Sequence, residues 1–423
     1  MIKLSAEEKR ILDGDFGPER KKILESLIIF SDFYGAKDFI NITGPGHLAL
    51  GFGTKGFEVV SNIFDSLISQ NLKTKYPFTI SSWLYSYLES TETWSKIFHR
   101  KRSVKSHQEV LEKKLISLGL NPDFRYLDAI SLAKSDTVQY GDVLCWSDSA
   151  LITFANSALG ARVNSCGPVI DLFCNILGKV PNYGLVTKEG RKANVIIKIE
   201  TATLPDAGLL GVAVAQKAKD QIPYIYGLEK LLKAKYDEKT LAFLKDFSAG
   251  FSSEGALRIF HINGITPDAK KLKKELINPQ AQTISINEQE IERVKENFEL
   301  FWKNLDAKPS LCFIGQPDLS LYQLVYWTNE IGWELKQNKR KKLKIKTVFL
   351  TNKEVLKAFK QLPEYKELKS YGAVIKTMSP FNNIVASKKV KKKIITNSNE
   401  IRSHANVKFC KEDEILKIIT GRK

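Results

Sequence analysis

Between Gly141 and Asn164 the chain concentrates side chains able to grip and orient a small polar ligand. Asp142, Ser147, Asp148, Ser149, Asn156, Ser157, Arg162 and Asn164 stand there among small residues such as Ala150, Ala155, Ala158, Gly160 and Ala161. A guanidinium offers paired donors to a carboxylate or phosphate, and hydroxyls and amides fix the orientation of what it holds, which makes Arg162 the candidate anion contact. The same composition suits a helix start packed closely through alanines, its polar groups serving the backbone. The residues alone leave both readings open. Ser147 and Ser149 lack the glycine-flanked elbow of a hydrolase nucleophile. His47, His99, His107, His261 and His404 show no metal-ligand spacing. His47 is the functional candidate among them because it follows the glycine-rich stretch Thr43-Gly44-Pro45-Gly46. Gly51-Phe52-Gly53-Thr54-Lys55-Gly56 lacks the spacing of a phosphate loop or dinucleotide fingerprint, so it reads as tight turns or as a ligand loop of another kind.

A chain of 423 residues, 43% of them hydrophobic, can bury extensive cores and divides into two or three domains. Its formal charge of +18 raises the expectation of an anionic partner, but the excess is lopsided. Residues 1–270 carry a net +4 and residues 271–423 a net +14, so nucleic-acid binding rests on the second part. The clusters there are Lys336, Lys339, Arg340, Lys341, Lys342 and Lys344, then Lys388, Lys389, Lys391, Lys392 and Lys393, with Trp327, Trp333 and Tyr371 nearby in sequence. A solvated lysine surface is the plainer account. No apolar run approaches the roughly 20 residues that span a bilayer, so no membrane role is expected. Five cysteines, Cys145, Cys166, Cys174, Cys312 and Cys410, in a chain whose opening lacks a secretory pattern predict free thiols and a cytoplasmic protein.

The elements that must position these residues follow from pattern. Ser5 with Glu8 forms a capping box, and its helix is expected to stop near Gly14; a second helix runs from Pro18 to Tyr34 with Gly35 after it. Residues 194–200 alternate as a half-buried strand, and Leu257 to His261 is another strand candidate. A lysine-rich helical stretch lies near 227–245 and a charged helix at 287–304. Strands at Leu311–Ile314, Ile345–Leu350 and Ala373–Ile375 alternate with helices from 319 and from Lys353, a rhythm that predicts a parallel sheet covered by helices. The composition shift places a boundary near 270–285, with Pro279-Gln280-Ala281-Gln282 as a linker. This divides the chain into 1–275, which holds the polar block, and a basic α/β region, 276–423.

The sequence resembles the aconitase X large-subunit family, which includes phosphomevalonate dehydratases and cis-3-hydroxyproline dehydratases. The resemblance runs from Leu4-Ser5-x-Glu7-Glu8 through Leu12-Asp13-Gly14-Asp15-x-Gly17, Tyr34-Gly35-Ala36, His47 and the block from Gly141 to Asn164. It continues through Gly178-Lys179-Val180-Pro181-x-Tyr183-Gly184, Pro223-Tyr224-x-x-Gly227 and His261-x-x-Gly264-x-Thr266-Pro267, then Gly315-x-Pro317-x-Leu319-Ser320 and Thr396-Asn397-Ser398. It implies a multi-domain α/β, aconitase-like architecture with parallel or mixed sheets covered by helices. It implies also an iron–sulfur dehydratase of small or phosphorylated hydroxy acids, completed by a small swivelling-domain subunit.

On that resemblance His47, Ser149 and Ser157 become catalytic candidates, and Asn156, Arg162 and Asn164 substrate contacts for a small anionic ligand. The family's cluster cysteines, however, fall at Ala129, Gln316 and Met378, and none of these supplies a thiolate. After Asn164 the family's Arg-Glu-Gly-Gly becomes Ser165-Cys166-Gly167-Pro168, its Thr-Leu-Asn-Pro becomes Thr79-Ile80-Ser81-Ser82, and a late lysine becomes Glu400. No cofactor is therefore expected, with an iron–sulfur cluster only if the family activity is retained. Three readings follow: a divergent paralogue that has lost dehydratase activity and keeps a binding or regulatory role; an active hydro-lyase; and nucleic-acid or acidic-protein binding through the basic region.

Overall fold

The computed structural model describes residues 2–49, 54–81, 101–121, 133, 137–233, 236–298, 308–377, 393–402 and 407–422. Ala129, Met378, His99, His404, Gly51, Gly53, Ser82 and the lysines from 388 to 392 lie outside them. The first helix, α1 (Ala6–Asp13), begins at the expected capping box, and Gly14 closes it at φ 97°, a backbone region costly for residues with a Cβ. Helices α2 (Pro18–Phe33), α3 (Thr54–Ser69) and α4 (Lys101–Leu118) surround short strand pairs. These are β1 (Phe39–Asn41) with β6 (Lys179–Pro181), antiparallel, and β2 (Gly46–Leu48) with β3 (Phe78–Ile80), parallel. The polar block threads β4 (Val143–Cys145), α5 (Ser149–Phe154), one π-helical turn at Ala155–Leu159 and β5 (Arg162–Asn164), and β4 pairs with β5 in parallel. Helix α6 (Pro168–Leu177) follows, and Phe64, Phe78, Leu115, Leu172 and Cys174 close this first core.

The middle unit is a four-stranded parallel sheet in the order β10 (Ile277–Asn287), β7 (Ala193–Glu200), β8 (Pro223–Tyr226), β9 (His261–Ile262). Val195, Ile197 and Ile199 bury one face under α7 (Ala207–Ala218) and α8 (Glu238–Ser253), while Asn194, Lys198 and Glu200 face outward, as the alternation predicts. The lysine-rich stretch divides between a single helical turn at Leu228–Leu231 and the start of α8. Residues 257–260 precede β9 without joining it, and α9 (Glu288–Glu296) is shorter than its charge pattern suggests.

Pro279 to Gln282 is not a linker. It lies inside β10 at a register irregularity, where the ladder to β7 skips from Ile277 to Gln282. A proline is tolerated there because β10 is an edge strand and an irregular stretch asks for no ladder donor.

The last unit is a five-stranded parallel sheet ordered β13 (Val374–Lys376), β12 (Lys346–Leu350), β11 (Leu311–Ile314), β14 (Ile394–Thr396), β15 (Val407–Phe409). Its central strand, Leu-Cys-Phe-Ile, is buried throughout because cores lie on both sides: Trp327, Phe349 and Ile415 on one, Phe313, Ile394 and Ile401 on the other. Helices α10 (Leu321–Gln337) and α11 (Glu412–Thr420) cover it. No helix of the described residues is long and apolar enough to cross a membrane.

Candidate functional site

His47 sits on β2 with no solvent exposure. Its Nδ1 is 2.8 Å from the Thr79 hydroxyl and its Nε2 3.0 Å from that of Ser81. Ser81 donates in turn to Asp148 at 2.8 Å, so Nε2 is the protonated nitrogen and Nδ1 the acceptor. Burial lowers the His47 pKa to about 4 against a smaller opposing pull from Asp148, so the ring is neutral at pH 7. Asp148 also caps α5 by accepting from the Leu151 amide. Ser149, the first residue of α5, is half-buried, and its carbonyl accepts from the Thr153 hydroxyl.

Asn156 and Ser157 occupy the π turn, and both are engaged by backbone. Asn156 Oδ1 accepts from the Val163 amide and from Arg191 Nη1, each at 3.0 Å, and Nδ2 donates to the carbonyls of Val163 and Arg258. Ser157 accepts from the Phe260 amide, and Asn164 bridges the Tyr183 carbonyl and the Leu185 amide. These three residues join β5 to the chain that flanks it. Arg162 differs: its Nη1 is buried with no partner among the described residues.

Sequence reasoning missed the residue that organises this block. Arg191, 1% exposed, donates from Nε to Asp268 at 2.7 Å and from its two terminal nitrogens to Asn156, Ala161 and Leu185. Asp268 also accepts from the Tyr140 hydroxyl, and Arg191 with Tyr140 holds its carboxyl below the usual carboxylate range despite burial. In the sequence Glu189-Gly190-Arg191-Lys192 looks like an ordinary solvated turn.

Four of the five free thiols are buried, and Cys166 is partly so. Burial pushes Cys145, Cys166 and Cys312 well above the ordinary thiol range and Cys410 to about 12, so all four are protonated. Cys145, Cys166 and Cys174 gather around Asp171, whose own carboxyl is driven well upward by burial. Among the described residues no group of three or more His, Cys, Asp or Glu side chains is arranged to hold a metal ion.

A cavity of about 500 Å³ opens elsewhere, between the two parallel sheets. In each sheet the connections run both ways from a central strand, and open parallel sheets bind ligands beyond the strand ends at that switch point. In the five-stranded sheet the switch lies between β11 and β14, and the segments leaving those strands, Gly315-Gln316-Pro317 and Asn397 to Asn399, line the cavity. In the middle sheet it lies between β7 and β10, and the loop leaving β7 brings Leu204, Pro205 and Asp206 to the opposite wall. Helices α7, α10 and α11 begin at the cavity; the Asp206 and Ser320 side chains cap the first two, and at the start of α11 the Lys411 amide donates to Glu414. Its acids are Asp206, Asp246, Glu412 and Asp413, against Lys239 and Lys411. Burial, reinforced by Asp206, Asp246 and Asp413, raises Glu412 to about 8, while burial and Asp246 raise Asp206 to about 6. The sequence had signalled this place only through the resemblance at Gly315, Pro317 and Thr396-Asn397-Ser398.

Two parallel sheets whose switch points line one cavity define a multi-domain α/β protein. Residues 1–189 match the aconitase X first domain and residues 193–296 the aconitase X second domain. The chain is 30% identical over 374 residues to the phosphomevalonate dehydratase large subunit of Thermococcus kodakarensis, covering 86% of this chain and 85% of that one. It is 27% identical over 218 residues to the cis-3-hydroxy-L-proline dehydratase of Pseudomonas aeruginosa, covering 50% of this chain and 35% of that one. The crystal structure of aconitase X (holo-form) from Thermococcus kodakaraensis shares the fold, with a TM-score of 0.76 at 24% identity, over 99% of this chain and 100% of that one. The chain belongs to the aconitase X family.

Proposed function

We propose that this protein is an aconitase X family member that has lost iron–sulfur-dependent dehydratase chemistry and retains a ligand-binding role in the cavity between its parallel sheets. One observation carries the reading: the turn leaving β11, where the resemblance expects a cluster thiolate, places Gln316 on the cavity wall. A neutral carboxamide does not replace a thiolate on iron, and none of the described cysteines lines this cavity. The residues present therefore do not fit the cluster. The names of the large-subunit relatives suggest a small companion chain, and this protein is read as working with one.

The test is iron and acid-labile sulfide per chain after anaerobic reconstitution, alone and with a candidate small chain. The expected result is neither element above trace in either preparation. Stoichiometric loading of both would sink the cluster-free reading and direct attention to dehydratase assays.

A second reading, polyanion binding through the last unit, has its own support. Lys336, Lys339, Arg340, Lys341, Lys342, Lys344 and Lys346 are all exposed, with no carboxylate between Glu334 and Glu354 and with Trp333 exposed one turn before them.

A further inference from the structure

We propose that the edge of the five-stranded sheet where its strands begin is a binding face for single-stranded nucleic acid, with Trp333 as the platform on which a base stacks. This rests on the polyanion reading of the last unit given above and names the partner. The strands of that sheet are parallel, so the segments leaving them reach the cavity and their starts form the opposite edge. Helix α10 runs from one to the other: Ser320 begins it near the cavity, and Trp333 and Lys336 lie on its last two turns at the far edge.

Tertiary structure gathers the charge there. Leu311 stands in register beside Lys346 and beside Ile394, which brings Lys308 and Lys393, just before those strands, to the edge where the run from 336 to 346 ends. The run is pinned: the Leu343 amide donates to the Tyr371 carbonyl and the Lys344 amide to the Ile419 carbonyl. At its start the Arg340 amide donates to the Leu335 carbonyl, with Lys339 at φ 50°, a left-handed position that glycine or asparagine usually fills. A lysine stands there against the preference of the backbone. None of the basic side chains of the run is in an ion pair among the described residues. Of the acids on the helices that end here, Glu334 is buried and paired with Arg422, and Glu330 and Glu367 lie about a turn back. The dipole of α10 is answered by Lys336 in its last turn, so it does not account for cations that continue to the first residue of β12.

Trp333 decides which polyanion. It is 55% exposed on a helix whose other tryptophan, Trp327, is fully buried, and it shares a face with Lys336 one turn on. Its backbone is held: a Cβ on neighbouring Gly332 would meet the Tyr371 hydroxyl at 2.7 Å, so α10 packs closely on the residue that ends the helix Pro363–Ser370. An exposed indole beside unpaired cations suits a base on its face and phosphates alongside. A single strand offers both, whereas a duplex hides the faces of its bases and a lipid surface has none.

The experiment is fluorescence titration of the full chain with an oligothymidylate of about 15 nucleotides over a salt series, beside a duplex of that length, heparin and phosphatidylserine vesicles. Oligonucleotide binding that quenches tryptophan emission and falls with salt is expected. Trp333→Ala should weaken it about fivefold or more and remove most of the quenching, at an unchanged salt slope and with heparin binding unaltered, and Trp333→Phe should recover much of the affinity. Replacing Lys339, Arg340, Lys341 and Lys342 by alanine should lower the salt slope by about 2 or more. All five side chains are exposed, so the fold is not at stake in either variant. Full oligonucleotide affinity in Trp333→Ala, an equal loss for heparin, or tighter binding to the duplex or the vesicles would overturn this inference. Heparin bound without the oligonucleotide overturns only this inference, and binding to none of the four overturns the polyanion reading with it.

Discussion

Two buried histidines carry the pH response at the scale of single residues. His47 and His261 are both fully buried, and burial is the first cause of each ring's low pKa, about 4 against an ordinary 6.5. His261 donates from Nε2 to the Arg191 carbonyl, so the ring proton is on Nε2, and Nδ1 has no partner among the described residues. As pH falls below 6.5 the unfolded chain takes up protons that the folded chain refuses. Their contribution is therefore complete above pH 6.5, declines between 6.5 and about 4, and is lost below. The slope is at most about 1.4 kcal/mol per pH unit for each ring. Asp206 and Glu412, raised by burial, act in the opposite sense over the same window, so the histidine contribution is read as a difference: urea unfolding of wild type and His47→Gln should show the wild type losing more stability than the variant as pH falls from 6.5 to about 4. A slope identical in the variant would mean that His47 titrates normally.

At the scale of elements, α10 depends on Gln323 twice over. Ser320 accepts from the Gln323 amide and the Gln323 side chain accepts from the Ser320 amide, a capping box that the sequence carries as Ser-x-x-Gln. The same side chain accepts from Lys245 at 2.9 Å and donates to Asp246 at 2.6 Å, so it ties α10 to α8 of the middle unit. Gln323→Ala removes the reciprocal cap and withdraws one acceptor from Lys245, which is 2% exposed. A loss of about 2 kcal/mol is expected from urea unfolding, the sum of a lost cap and a weakened buried charge. A change below about 0.5 kcal/mol would show that the tie across the units contributes nothing.

At the scale of the whole molecule, charge is divided by region. The carboxylates around the cavity come from both the middle and the last units, whereas the basic side chains of residues 336–346 form one exposed run on the last unit. If the lysine segment contacts phosphates, retention on a single-stranded oligonucleotide should fall steeply with salt, and replacing Lys339, Arg340, Lys341 and Lys342 by alanine should lower it further. Unchanged retention in that variant would assign the segment to solubility alone. The units are also laced by ion pairs, Arg402 with Glu254, Lys295 with Glu414 and Lys411 with Glu292, each linking the middle sheet's helices to the last unit. Partly exposed pairs of this kind orient a contact more than they strengthen it.

Local pattern was enough for much of this protein. The Ser5 and Glu8 capping box, the stop at Gly14, the alternating strand at 194–200 and the continuously apolar strand at Leu311–Ile314 are decided by neighbours in sequence, and so is the α/β class that follows from their order. Gln316 was legible as a residue that cannot act as a thiolate, because that is a property of its side chain. Tertiary structure alone decided where the polar residues spend their hydrogen bonds. Asn156, Ser157 and Asn164 look alike to a ligand and to a backbone, and only the return of residues 183–191 and 258–260 against them shows that backbone took them. The same holds for Pro279, whose place in an edge strand depends on β7, far earlier in the chain. The cavity is the clearest case, since Asp206, Gln316, Asn397 and Glu412 are separated by long stretches of sequence and meet only because two parallel sheets present their switch points to each other.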